Sequence, residues 1–304
     1  MAGSFISQKV CTDFGERKPK PNGVPPPGRE LPAFCAEKQP IHDIRQFTLR
    51  VSPTRLLNLF LELFATNNCD YCSRDKSRKI LNWPSTCAAV IPCFNEAESI
   101  RLVVSNVRAF VPRIVVVDDG STDDTSDLAR EAGGEVIALP RNSGKGAALR
   151  AGWKHARQLG FQWAISMDGD GQHAADDIPA FFECAERTSA VLVIGNRMQN
   201  PTGMPFIRRV VNAWMSKRLS KAANQSLPDS QCGFRLINLA AWSALELKTD
   251  RFEIESELTL SFARAGQKIA FVPIHSIYKS EHSKINPIKD SIRWFRWFHN
   301  MRRR

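Results

Sequence analysis

No stretch of this 304-residue sequence reaches the roughly 18 uninterrupted apolar residues that a bilayer-spanning helix needs. The first residues, Met1 to Val10, are too polar for a secretory signal, so a cytoplasmic protein is expected, with room for peripheral contact at the cytoplasmic face of a membrane. There is no internal repeat, no Walker A pattern and no glycine-rich loop able to cradle a triphosphate after the first apolar run. Nor is there a helix-turn-helix or an aromatic-interleaved strand motif, so a nucleic-acid partner is not expected. The eight cysteines, Cys11, Cys35, Cys69, Cys72, Cys87, Cys93, Cys184 and Cys232, follow no disulfide framework. Cys69-Asp70-Tyr71-Cys72 is the one Cys-x-x-Cys, and no second Cys or His pair stands near it at zinc spacing. Cys87, Cys93, Cys184 and Cys232 fall in or beside apolar runs, where a free thiol behaves as a small buried hydrophobe, which points to a reducing compartment.

What the chain has in excess is positive charge. A formal net charge of +11 favours an anionic partner, which could be nucleic acid, an acidic membrane surface or a phosphorylated substrate. The first fifty residues read as linker, because Pro19-Lys20-Pro21-Asn22-Gly23-Val24-Pro25-Pro26-Pro27-Gly28 sustains neither a helix nor a central strand. Residues 54 to 66 form a short helix candidate with Leu56, Leu57, Phe60, Leu63 and Phe64 on one face, suited to docking on protein or lying on a bilayer.

From residue 87 short apolar runs alternate with amphipathic segments, the signature of a mainly parallel sheet covered by helices. Strands are predicted at 87–91, 113–118, 135–139, 163–167, 190–195, 231–236 and 269–279. Helices are predicted at 96–110, 122–132, 144–159, 176–187, 205–222, 238–246 and 253–265. Pro92 is expected to stop the first strand.

Four motifs follow one another along this alternation. The first is Ala88-Ala89-Val90-Ile91-Pro92-Cys93-Phe94-Asn95-Glu96; the second is Ile114-Val115-Val116-Val117-Asp118-Asp119-Gly120-Ser121. The third is Asn142-Ser143-Gly144-Lys145-Gly146, whose backbone N–H groups and lysine suit a phosphate at a helix N-terminus. The fourth, Met167-Asp168-Gly169-Asp170-Gly171-Gln172-His173, ends an apolar run in two carboxylates that can hold a divalent ion against a diphosphate. Each has a plainer reading as a turn or a helix cap. In an open parallel sheet, motifs at strand ends converge on one crevice beyond the carboxyl edge.

In this order the motifs resemble the family 2 glycosyltransferases of the GT-A fold, over about residues 86 to 290. The branch most similar transfers sugars from nucleotide donors to polyprenyl or dolichyl phosphates. The resemblance implies an α/β, Rossmann-like fold, and donor contacts from Pro92, Phe94, Glu96, one of Asp118 and Asp119, Lys145, Asp168, Gly169, Asp170 and Arg197. It implies Mg²⁺ or Mn²⁺ held by Asp168 and Asp170, with Gln172 completing the shell. Arg209 and Lys284 are implied to grip the acceptor phosphate, and Asp229 to act as a catalytic carboxylate beside Asp170. Glu255 is a further candidate, and His173 reads as an exposed loop residue. The chain departs from its relatives at Phe94, where many carry Tyr, and at Tyr278, where many carry Arg.

The expectation is therefore an inverting glycosyltransferase that uses a nucleoside diphosphate sugar and a lipid-phosphate acceptor. A saccharide or lipid hydroxyl acceptor, with Asp229 as base, is the alternative, and a basic nucleic-acid-binding module is a remote one. Three regions are expected: a Pro-rich extension over 1–80, the GT-A domain over 86–290 and a basic aromatic tail over 291–304. The tail mixes Trp294, Phe295, Trp297 and Phe298 with arginines on a helix-compatible segment, fitting either the headgroup layer of an anionic bilayer or packing against the domain.

Overall fold

The computed structural model describes residues 81–278 and 287–302. All of these lie in one compact unit, Asp75–Arg304. The helix expected over 54–66, the Cys69/Cys72 pair and Lys284 lie outside the described residues.

A short helix α1 (Trp83–Thr86) leads into β1 (Cys87–Cys93), and α2 (Ile100–Arg108), β2 (Ile114–Asp118), α3 (Thr125–Glu131) and β3 (Glu135–Ala138) follow. Next come α4 (Lys145–Gln158), β4 (Trp163–Ser166), a 3₁₀ turn at Ala175–Asp177, α5 (Ile178–Thr188) and β5 (Leu192–Asn196). The second half holds α6 (Phe206–Ala223), β6 (Arg235–Asn238), α7 (Leu239–Ser243), α8 (Glu253–Arg264), β7 (Ile269–Pro273) and α9 (Pro287–Arg302). The strands form one sheet in the order β3-β2-β1-β4-β6-β5-β7. Its pairs are parallel except those of β6, which runs antiparallel to both β4 and β5.

Every residue of β1, β2, β4 and β5 is buried, as expected of strands covered on both faces. The covering helices are amphipathic. In α2, Ile100, Val103, Val104 and Val107 are buried, and in α5 Ile178, Phe181, Phe182, Cys184 and Ala185 are. Cys87, Cys93, Cys184 and Cys232 are free and buried, as hydrophobes of their size should be.

Three expectations are corrected at element ends. Pro92 does not stop β1, which continues to Cys93 opposite Asp118. Residues 89 and 93 bond to the β2 side and Val90 bonds to the β4 side, so the N–H that Pro92 lacks would face β4, beyond the last pair, Val90 with Ser166. The ladder loses nothing there. Residues 231–234 are not strand: β6 begins at Arg235, although the Phe234 carbonyl already accepts the Gly195 N–H of β5 at 2.9 Å, and the Arg235 guanidinium takes the Cys232 carbonyl. Finally, β7 ends at Pro273, and the chain continues beside the Asp-x-Asp loop, with the Ile277 N–H donating to the Gln172 carbonyl at 2.9 Å.

Helix α4 lies closest to the sheet at Gly152, where an added Cβ would meet Val90 Cγ1 at 2.4 Å and Val117 Cγ2 at 3.0 Å. Gly152→Val therefore overpacks an interior without slack, and a loss of about 1–3 kcal/mol is expected by denaturant titration.

Candidate active site

The loops after β1, β2 and β4 meet over the carboxyl edge of the sheet and, with the α4 N-terminus and residues 251–255, enclose a crevice of about 480 Å³. Backbone and side chains knit the loops together. Asn95, in the left-handed region at φ 54°, accepts the Thr122 N–H at 2.8 Å, while its own N–H donates to Ser121 Oγ at 2.8 Å. The Glu96 N–H donates to Thr125 Oγ1, and Ser99 Oγ donates to the Gly169 carbonyl at 2.7 Å. Asn95 and Glu96 thus sit in this turn, and α2 starts only at Ile100.

The two acids after β2 face different ways. Asp118 is absent from the crevice wall; it accepts the Ser121 N–H at 2.8 Å and bonds Ser126 Oγ. Asp119 lies on the wall, where its carboxylate accepts the N–H groups of Ser143 and Gly144 at 2.7 and 2.8 Å. It thereby fixes the third motif. Gly144, at φ 102°, is required by this turn, since a Cβ there would also stand 2.3 Å from the Asp250 carbonyl.

At the centre the Lys145 ammonium lies 2.6 Å from both Asp168 Oδ1 and Glu255 Oε1. Burial alone would favour neutral lysine, but the two carboxylates hold its pKa above the ordinary value. Asp168 is held well below the usual carboxylate range: burial opposes its charge, and Lys145 and His173 together outweigh that penalty. Asp170 moves upward, through burial first and the negative charge of Asp168 second. Its Oδ1 accepts the Gln172 N–H at 3.0 Å. The reading of His173 as exposed is corrected. It is buried, with Nε2 3.6 Å from Asp168 Oδ2, and its Nδ1 has no hydrogen-bond partner.

Among the described residues no group of three His, Cys, Asp or Glu side chains is gathered for a metal. The donor set nevertheless fits a hard divalent cation. Asp168, Asp170 and Gln172 all line the crevice and offer oxygens of the kind such an ion takes.

Arg197 also lines the crevice, whereas Asp229 is fully buried and off its wall. The two form a bidentate pair, Nε to Oδ2 at 2.8 Å and Nη2 to Oδ1 at 2.9 Å, and Asp229 further accepts the N–H groups of Arg197 and Gln231. Burial opposes the Asp229 charge, yet Arg197 lowers its pKa. The carboxylate expected to be catalytic is thus engaged through both oxygens with Arg197. On α6, Arg208 lines the crevice and Arg209 is exposed on another side of the helix. One residue of helix turns a side chain by about 100°.

The structure adds residues that the sequence reading did not single out. Asn142, Arg208, Gln231, Arg251 and Phe252 line the crevice. Gly233 leaves room for its centre, since a Cβ there would stand 2.7 Å from both carboxylate oxygens of Asp168 and 2.9 Å from Lys145 Nζ. Arg235, also fully buried, donates to the carbonyls of Cys232, Ser230 and Glu255 and to Thr259 Oγ1 at 2.7–2.9 Å. Gly233 stands two residues before β6 and Arg235 opens it; both fall inside the strand predicted at 231–236, a reading that gave neither a role at the site.

The mainly parallel seven-stranded sheet flanked by helices is a GT-A-like architecture. The chain belongs to glycosyl transferase family 2, whose model matches residues 88–243, and within it to the polyprenyl-phosphate sugar synthase branch; it is a glycosyltransferase. It is 32% identical to the UDP-N-acetylglucosamine–dolichyl-phosphate N-acetylglucosaminyltransferase of Methanococcus voltae, over 62% of this chain and 84% of that one. It is likewise 32% identical to the undecaprenyl-phosphate mannosyltransferase of Micrococcus luteus, over 61% and 81% of the two chains. In fold it matches Mycobacterium tuberculosis glucosyl-3-phosphoglycerate synthase in complex with Mn²⁺, UDP and phosphoglyceric acid, at a TM-score of 0.54 and 20% identity over 69% of this chain and 75% of that one.

Removing Asp229 would leave the Arg197 charge buried without a partner. Asp229→Ala is expected to cost roughly 3–5 kcal/mol in chemical denaturation. The pair's contribution should also fade with acid: the folded pKa lies below the unfolded one, so its stabilisation is full above the ordinary aspartate value and is lost as pH falls through the folded value. An activity loss at unchanged stability would instead restore Asp229 as a base.

Proposed function

We propose that this enzyme transfers a sugar, with inversion, from a nucleoside diphosphate sugar to the phosphate of a polyprenyl-type lipid, and that it does so with Mg²⁺ or Mn²⁺. The observation that carries the reading is the crevice itself. It gathers cations from Lys145, Arg197, Arg208 and Arg251 around the Asp168/Asp170 pair, and no unengaged carboxylate is placed as a base at Asp229. The names of the two relatives support the acceptor class, since both act on a polyprenyl or dolichyl phosphate.

A hydroxyl acceptor must lose its proton during attack and needs a general base. A phosphate monoester is anionic near neutral pH and needs only to be positioned. In this reading Pro92, Phe94, Glu96 and Asp119 flank the nucleoside end of the donor, and Lys145, Arg197 and Arg208 hold phosphate. An acceptor oxygen then bonds to the anomeric carbon as the bond from that carbon to the diphosphate oxygen breaks, and the electron pair leaves with the nucleoside diphosphate. Held by Asp168, Asp170 and Gln172, a divalent ion would offset the charge that grows on that leaving group. Lys284 would add a cation at the acceptor end.

Titration with UDP-glucose and GDP-mannose, each with and without Mn²⁺, is expected to show metal-dependent binding of one donor. A folded Asp170→Ala variant is expected to lose about 10²–10³-fold in transfer to polyprenyl phosphate. Undiminished turnover by that variant, or faster transfer to neutral saccharides than to polyprenyl phosphate, would overturn the proposal.

A further inference from the structure

Lys145, Arg197 and Arg208 hold phosphate in the transfer proposed above, and Arg251 has no part in it, although it lines the same crevice. The other three cations are engaged. Lys145 and Arg197 have carboxylates in contact, and the Arg208 guanidinium lies over the Tyr278 ring at 5.9 Å. Arg251 is exposed, and among the described residues it has neither a hydrogen bond nor an ion pair. Its charge reaches Glu253, two residues on, only at longer range. An exposed arginine is ordinarily just solvated. What sets this one apart is the loop that carries it.

Residues 248–250 are fastened from two helices. The buried Glu257 of α8 accepts the Lys248 and Thr249 N–H groups at 3.0 and 2.8 Å and the Thr249 hydroxyl at 2.6 Å. From α4, Arg150 donates to the Thr249 carbonyl and the Asp250 carboxylate, and the Ala147 N–H donates to the Asp250 carbonyl at 3.1 Å. The start of α4 lacks the side chains that would keep this loop away: a Cβ on Gly146 would stand 2.6 Å from the Thr249 carbonyl oxygen. The loop is a fixed part of the wall, and Arg251 leaves it at a set point. Its stem crosses Gly144, with Cγ 2.9 Å from where a Cβ on that glycine would be. Gly144 also gives its N–H to Asp119 Oδ2 at 2.8 Å. The Arg251 stem and the Asp119 carboxylate thus meet one residue of the crevice wall, with Asn142 beside them.

Such a neighbourhood offers an acceptor and a fork of donors together. Each Asp119 oxygen accepts one backbone N–H and keeps a lone pair, whereas a guanidinium only donates. The ligand edge that matches is a ring N–H next to a carbonyl. Uracil presents one at N3–H between its two carbonyls, and guanine presents one at N1–H beside O6. Adenine and cytosine instead offer a bare ring nitrogen beside an amino group, which would set acceptor against carboxylate and donor against guanidinium. Phosphate is a weaker match, since Asp119 would repel it. We propose that Arg251 is a specificity-determining residue for the donor nucleotide: its guanidinium donates to a nucleobase carbonyl while Asp119 accepts the adjacent ring N–H. A uracil or guanine nucleotide is then taken, and an adenine or cytosine one refused. This assignment rests on the placing of the donor nucleoside beside Asp119 given above. It also gives the anchored loop a purpose, because donors and acceptors held in place cannot rearrange to suit the wrong base.

The test is calorimetric titration of the full chain with UDP, GDP, ADP and CDP, each with Mn²⁺. Wild type is expected to bind UDP or GDP more tightly than ADP and CDP. Arg251→Ala should lower that preferred affinity about tenfold and leave the ADP and CDP affinities within about twofold, so that discrimination is lost. Its melting temperature should stay at the wild-type value, since the side chain is exposed. Arg251→Lys keeps the charge without the fork and should recover little of the loss. An equal loss for all four nucleotides would overturn the proposal by placing Arg251 on phosphate or ribose. Full recovery by lysine, or a wild-type preference for ADP or CDP, would overturn it as well. Wild-type binding of UDP or GDP that neither variant alters removes this assignment and leaves the transfer standing. Wild-type protein that binds none of the four removes both.

Discussion

The architecture of the site turns on one cation. Lys145, at the start of α4, lies between Asp168, which follows β4, and Glu255, in the first turn of α8, and so ties three parts of the chain into one contact. A buried lysine between two carboxylates repays desolvation only if the geometry holds from every side, and the neighbouring backbone is built for that. Asp119 pins the turn that presents Lys145, Gly144 lets residue 250 approach, and the missing side chain of Gly233 keeps the space above the ion pair open. Lys145 and His173 hold Asp168 down against its burial, whereas burial and then the charge of Asp168 push Asp170 up. A pair so divided presents one carboxylate already satisfied and one that gains by meeting a further positive charge.

The same principle organises the other half of the crevice. Arg197 and Asp229 are both buried, and their bidentate contact holds the guanidinium at the wall while removing the acid from it. Arg235 works without a carboxylate in contact. Burial lowers its pKa, and its hydrogen bonds to three carbonyls and a threonine hydroxyl hold the loop before β6 that carries Gly233. A buried guanidinium suits this work because its five fixed donors can meet several carbonyls of a loop at once.

Much of the fold was legible because the strands are covered on both faces and therefore read as apolar runs. Val115, Val116 and Val117, or Ala164 and Ile165, admit little else, and the four motifs mark where such runs stop. Legibility failed where tertiary contacts overrode local pattern. After Pro273 the chain keeps single backbone contacts, the Ile274 N–H to the Asn196 carbonyl and the Ile277 N–H to that of Gln172, and before β6 the Arg235 guanidinium holds the Cys232 carbonyl. At the site, the sequence placed Lys145, Asp168, Asp170, Gln172 and Arg197 on one crevice and the structure agrees. It could not separate Asp118 from Asp119, or Arg208 from Arg209, since adjacent residues differ only in the direction their side chains take. The resemblance offered Asp229 as a catalytic carboxylate, and nothing beside it in the sequence signals that an arginine 32 residues earlier engages both its oxygens.

These features bear on the nucleophile from two sides. On the chemical side, locking Asp229 to Arg197 withdraws the carboxylate that a hydroxyl acceptor would need and leaves a guanidinium facing the crevice, which suits an acceptor that arrives already charged. On the physical side, the most exposed large apolar residues among the described ones lie on the helix that also contributes Arg208 to that crevice. A lipid phosphate combines both properties, an anionic head for the arginines and a hydrophobic tail that stays in a bilayer. An enzyme that draws its acceptor from that bilayer gains from resting on it, because the search for the headgroup then runs in two dimensions beside the open side of the site.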